Sequence, residues 1–127
     1  MATALWPIYR LLDLVVVKIL AGADVPAGCH LGSNVVLPHG AKGVVISDTA
    51  VVGDRVTIYH QVTLPEGVAI GHDVWIAPGA KFAAHVTVGH FSKIAPNSFV
   101  DKDVPEGSIA TGVPATTRRR SSFPDNT

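Results

Sequence analysis

Large apolar residues recur along this chain at a fixed interval of six. Stepping from Ile46 gives Ile46, Val52, Ile58, Leu64, Ile70, Ile76, Phe82, Val88, Ile94 and Val100 without a miss. In a chain that is 47% hydrophobic, ten consecutive hits in one phase arise by chance about once in two thousand trials, so the period is structural. Four residues after each comes a small or β-branched residue: Ala50, Val56, Val62, Val68, Val74, Ala80, Val86, Ser92, Ser98 and Val104. The pattern extends upstream through Val25, Leu31 and Leu37, followed by Cys29, Val35 and Ala41. Between Leu37 and Ile46 the step is nine, so about three extra residues interrupt the register near Lys42–Val45.

A beat of six fits neither the 3.6 of a helix nor the simple alternation of an amphipathic strand. It fits short strands joined by tight turns, with one large and one small residue per repeat pointing inward. Gly32, Asn34, Gly53, Asp54, Gly71, Asp73, Gly79 and Asn97 suit the corners. Three repeats make one triangular turn of about 18 residues, and turns stack at about 4.8 Å. The expectation is an all-β, single-stranded parallel β-helix over residues 24–115, with four to five turns from Val25 to Val104. Cys29 falls in a small inward slot and reads as core rather than nucleophile. Residues 1–23 form a lead-in with a short helix over 5–20, Pro7 lying in its first turn. Its apolar face caps the coil or packs on a neighbouring subunit. Residues 116–127 are expected as a basic, disordered tail.

Composition then narrows the function. Ten basic and ten acidic residues cancel, which argues against a nucleic-acid surface spread over the protein. A single cysteine excludes an internal disulfide framework and makes the cytoplasm the expected compartment. The apolar run Leu11–Ala21 carries Asp13 and Lys18 and is too short to span a bilayer, so no membrane insertion is expected.

Six histidines carry most of the candidate chemistry: His30, His39, His60, His72, His85 and His90. Once the register break is allowed for, His39 and His60 lie on successive turns of one face, outside the inward slots, beside the inserted residues. His72 and His90 occupy equivalent corners on successive turns, with Asp54 above them. That column could bind metal, but zinc catalysis needs three protein ligands and an open position, and no metal is expected. No glycine-rich phosphate loop or nucleophile elbow is visible.

The stretch DVPAGCHLGSNVVLPHGAKGVVISDTAVVGDRVTIYHQVTL, with IGHDVWIAPGA and the closing GVPA, resembles the bacterial hexapeptide-repeat serine acetyltransferases, especially short forms without the large helical amino-terminal domain. The resemblance covers residues 24–115 and implies a left-handed coil. It also implies a homotrimer with acetyl-CoA, as co-substrate, in the cleft between adjacent coils. By the same resemblance His39 is the general base, Asp24 orients it, and coil backbone N–H groups stabilise the oxyanion. His60, and Pro38 where the family often has an acidic residue, stand on the acceptor side. Gly79, Ala80, Lys81, Ser98, Gly112, Pro114 and Arg118 would line the coenzyme. The family's glycine-rich loop after VTL is missing here, because Leu64 runs directly into Pro65-Glu66-Gly67. That loop helps to bind serine. The acceptor therefore stays open between serine and a sugar hydroxyl in polysaccharide assembly, and a non-catalytic trimeric scaffold is the third reading.

Overall fold

In a computed structural model the chain is described at residues 7–8, 10–12, 22–26 and 28–121. The repeat becomes a stack of two-residue strands: β1 (His30–Leu31), β2 (Val45–Ile46), β3 (Val51–Val52), β4 (Thr57–Ile58), β5 (Thr63–Leu64), β6 (Ala69–Ile70), β7 (Trp75–Ile76), β8 (Lys81–Phe82), β9 (Thr87–Val88), β10 (Lys93–Ile94) and β11 (Phe99–Val100). Two longer strands follow, β12 (Ser108–Gly112) and β13 (Ala115–Arg119). Strands stay short because the chain enters the left-handed backbone region at Arg55, Gln61, Gly67, Asp73, Gly79, His85, Phe91 and Asn97, one corner every six residues. Each such residue turns the chain through an edge of the prism.

Three parallel sheets form the faces of a left-handed β-helix: β1-β3-β6-β9, β2-β5-β8-β11, and β4-β7-β10-β12 extended by β13. Register shows the interruption directly. His30 pairs with Val51 and Val36 with Thr57, an offset of 21, whereas Val51 pairs with Ala69 and Thr57 with Trp75, an offset of 18. Three residues are inserted in the first described turn.

The second residue of each short strand from β2 to β11 points inward. Ile46, Leu64, Phe82 and Val100 form one column, Val52, Ile70 and Val88 another, and Ile58, Ile76, Ile94 and Ala110 the third. All are at most 4% exposed. The small slots fill the space between columns, and every one from Ala50 to Val104 is also buried. Each aliphatic side chain removed from water this way contributes about 1.5–3 kcal/mol. In the first turn, Val25, Cys29, Val35, Leu37 and Ala41 are only partly buried and Leu31 is 37% exposed, because an end turn is covered on one side only.

Gly32, Gly53 and Gly71 serve a purpose other than a left-handed backbone. A Cβ on Gly71 would stand 2.7 Å from His90 Nδ1 and 2.9 Å from its backbone nitrogen, so the glycine permits close stacking of successive turns.

Two expectations change at the ends. Residues 7–8 and 10–12 are helical, and the rest of the expected 5–20 helix lies outside the described residues. Ile8, Leu11 and Leu12 are more than half exposed in the single chain, so they do not cap it. At the other end, residues 116–119 of the expected disordered tail are ordered, continuing a strand that starts at Ala115. That strand is β13, antiparallel to β12, with Ala110 opposite Thr117 and Ser108 opposite Arg119. The hairpin gives the last turn's backbone a hydrogen-bonded neighbour, and Arg120 ties it down by donating to the Phe91 carbonyl at 2.6 Å. Residues 122–127 lie outside the described residues. No helix among the described residues is long and apolar enough to cross a membrane.

Candidate active site

The inserted residues form a tight turn, Pro38–Ala41, projecting from the first turn of the coil a few residues before the Lys42–Val45 stretch where the break was expected, because Lys42 is already back in register beside Gln61. Pro38 sets the entry angle. His39, Gly40 and Ala41 then all take positive φ, at 62°, 69° and 59°. Histidine is among the side chains that tolerate this region, but a run of three is strained, at about 1–2 kcal/mol for each non-glycine residue. Strain of this kind persists where the surroundings enforce it, and it collects at functional sites. Here Val44 is fully buried and pulls the chain back to the coil, while Lys42 O accepts from Gln61 N at 2.7 Å.

The turn presents His39 to the corner Tyr59–Gln61 on the next level. The His39 and His60 rings lie edge to face, with centroids 5.2 Å apart and planes at 86°. Tyr59 is 6.1 Å from His39, and Trp75 packs edge-on to Tyr59 at 5.2 Å. Two imidazoles expected to share a face thus do so, inside an aromatic surround that the sequence reading missed. Tyr59 and Trp75 carry no periodic signal, because outward slots are unconstrained by the core. His60 Nδ1 is buried and has no hydrogen-bond partner among the described residues. Its carbonyl accepts from Gly79 N at 3.0 Å, and Lys81 Nζ donates to Gln61 O. Gly79 and Lys81 therefore sit directly above the His60 corner.

Asp24 pairs through its backbone with the strand that closes the His39 turn, donating to Val44 O and accepting from Ile46 N, each at 2.8 Å. Pro38 belongs to the turn itself and is half-buried. Two expected coenzyme contacts need correction. Ala80 and Ser98 are 0% and 1% exposed, so their side chains fill inward slots. Their carbonyls are occupied as well, accepting from Thr63 N and Lys81 N. The period had already assigned both residues to the core, and burial agrees with it. The corner amides are committed too: Gln61 N and Gly79 N both serve the stack, which removes them as oxyanion donors. Gly112 N donates to Ser98 Oγ at 3.2 Å, and Pro114 follows in the exposed hairpin turn. Beside it a cavity of about 270 Å³ is lined by Val100, Asp103, Val104, Ala110, Ala115 and Thr117. Arg118 is exposed on β13 opposite Ile109.

The second histidine column is structural. Asp54 N donates to His72 Nδ1 at 2.8 Å and His72 N to His90 Nδ1 at 2.7 Å, with the two rings stacked at 4.9 Å. Asp54 Oδ2 is 3.8 Å from His72 Nδ1, too far to compete with the amide. Both rings therefore carry their proton on Nε2 and keep no lone pair for a metal. Among the described residues no group of three or more His, Cys, Asp or Glu is placed to hold one. On the same edge Arg55 forks onto Asp73 at 2.9 and 3.0 Å, and this pairing holds the Asp73 carboxyl below its usual range. Burial raises the Cys29 thiol, which suits a core role.

Residues 67–102 match the bacterial transferase hexapeptide family (six repeats). The chain is similar to a serine acetyltransferase of Mycobacterium tuberculosis, 41% identical over 105 residues that cover 76% of this chain and 45% of that protein. It superposes on the Neisseria gonorrhoeae serine acetyltransferase in complex with serine, with a TM-score of 0.70 and 36% identity, covering 76% of this chain and 42% of that one. The Brucella abortus serine acetyltransferase in complex with coenzyme A gives a TM-score of 0.66 and 41% identity over 71% of this chain and 39% of that one. The chain spans about half the length of the curated relatives it matches.

Proposed function

Since this chain is a hexapeptide-repeat protein whose coil is related to that of the serine acetyltransferases, we propose that it is an acetyl-CoA-dependent O-acetyltransferase whose acceptor is the hydroxyl of L-serine. The observation that carries the reading is His39, held on a strained turn against the His60 corner and next to the Gly79–Lys81 edge. An exposed imidazole there can take the hydroxyl proton as the oxygen attacks the thioester carbon. The C–O bond forms, the C–S bond breaks, and His39 returns the proton to the departing thiolate. A positioned base of this kind contributes about 10²–10⁴-fold. Asp24, anchored where the His39 turn rejoins the coil, orients the ring and balances the imidazolium charge.

Acetyl-CoA runs along the edge from His60 past Gly79 and Lys81 towards the cavity beside Gly112–Ala115, where Pro114 and Arg118 flank its far end. Lys81 and Arg118 supply positive charge suited to its phosphates. A homotrimer places a neighbouring coil against this edge and closes the cleft. The coenzyme-A and serine complexes of related coils support both ligands. The missing glycine-rich loop after Leu64 favours the sugar-hydroxyl acceptor as the second reading, and a scaffold without activity is the third.

Thiol release from acetyl-CoA, measured with serine and with a panel of sugars, tests the reading. Release with serine that drops by at least about 10² in His39→Ala, with unchanged circular dichroism, supports it. Release with sugars only moves the acceptor, and near-normal rates in His39→Ala overturn the base assignment.

A further inference from the structure

The His39 turn and the coil meet at Gln61. Its N–H donates to Lys42 O at 2.7 Å, where the chain leaves the turn, and a Cβ on Gly43 would stand 3.0 Å from Gln61 Cγ. Gln61 itself takes φ 58°, a left-handed backbone without the freedom of glycine. Its carbonyl lies outside the stacking ladder. The equivalent corner amides, Gly79 N and Asn97 N, donate to His60 O and Pro78 O, and among the described residues no backbone amide donates to Gln61 O. Lys81 Nζ fills that place. Lys81 stands in an outward column with Val45, Thr63 and Phe99. Among these four it alone combines a donor with the length to reach the corner one turn below. The cap therefore falls on the corner that anchors the candidate base.

Resting on the acetyl-transfer reading, we propose that Lys81 is a positioning residue for the base: by holding the Gln61 carbonyl it fixes the corner that anchors the His39 turn. An ammonium carries three donors and keeps its charge while one of them is used, so this role needs the bond to Gln61 and not the coenzyme phosphates. A run of three positive φ values stays in place only while its exits are held, and the Lys42 carbonyl is one of those exits. Loosening Gln61 lets His39 drift from the attacking oxygen, and a displacement of about 1 Å costs up to about 10²-fold in rate.

Lys81→Met keeps the exposed stem and removes the donors, and Lys81→Arg keeps a donor. For the full chain and both variants, kcat and KM are measured with acetyl-CoA and with S-acetylpantetheine, which lacks every phosphate, using the acceptor that gives the fastest thiol release. The expected result is a kcat about tenfold lower in Lys81→Met with both thioesters, recovered for the most part in Lys81→Arg. A rise in KM for acetyl-CoA alone, with S-acetylpantetheine unaffected, assigns Lys81 to the phosphates only. That overturns the proposal while sparing the acetyl-transfer reading. Amide hydrogen exchange gives a readout without turnover: the Gln61 N–H should exchange about tenfold faster in Lys81→Met, with the Gly79 and Asn97 N–H groups unchanged. Unchanged protection at Gln61, or equal acceleration at all three corners, overturns the proposal whatever the rates. A wild-type chain inactive with both thioesters overturns the acetyl-transfer reading, and the role of Lys81 towards the base falls with it.

Discussion

Removing Ile76 probes the stack at its centre. Its side chain is fully buried and lies in register between Ile58 on the turn below and Ile94 on the turn above. Truncating a buried isoleucine to alanine costs 2–5 kcal/mol, the lower figure applying where neighbours collapse into the gap. Collapse is blocked here, because the flanking strands are held by backbone hydrogen bonds: Thr57 N to Val74 O, Tyr59 N to Ile76 O and Ala77 N to Ile94 O, each at 3.0 Å. A sheet spaced at about 4.8 Å cannot close around a missing side chain. Ile76→Ala should therefore sit near the upper end, at about 4 kcal/mol, and Ile76→Val at about 1 kcal/mol. Urea unfolding followed by circular dichroism, at one fixed protein concentration, measures both. A loss below about 1.5 kcal/mol for Ile76→Ala, with an unchanged slope, would refute the idea that stacked backbones hold the cavity open.

Gly71→Ala should cost about 1–3 kcal/mol, since the new methyl meets the His90 backbone and ring on the next turn. Gly28→Ala, where nothing lies within 4 Å, should be nearly silent in the same unfolding assay. The Arg55–Asp73 pair predicts a pH effect. Asp73 titrates lower folded than unfolded, so its contribution is complete above the ordinary aspartate value of about 3.9 and is lost as pH falls through the depressed folded value. The melting temperature of wild type should thus fall more steeply than that of Asp73→Asn below about pH 4; parallel curves would count against the pairing.

How much of this was legible beforehand depends on the kind of residue. Ile46 through Val104 could be placed inside from the beat alone, because the interior of a narrow prism accepts one large and one small side chain per repeat. The three-residue break was legible for the same reason: a lost beat has nowhere to hide. His39 and His60 could be set on one face once the break was counted. Ala80 and Ser98 mark where resemblance misled, since they had been assigned to the coenzyme although the period placed them inside.

What the amino-acid order determined on its own was therefore the winding, its register and the set of buried side chains, because burial repeats with the chain. Only the tertiary structure decided which outward groups meet. It brought Tyr59 to His39 and Trp75 to Tyr59, left His60 Nδ1 buried and unpaired among the described residues, turned His72 and His90 into acceptors for backbone amides, and folded residues 115–119 back as a strand. Contacts on the outside depend on side-chain direction and on neighbours one turn away, and a hydrophobic period carries no record of either.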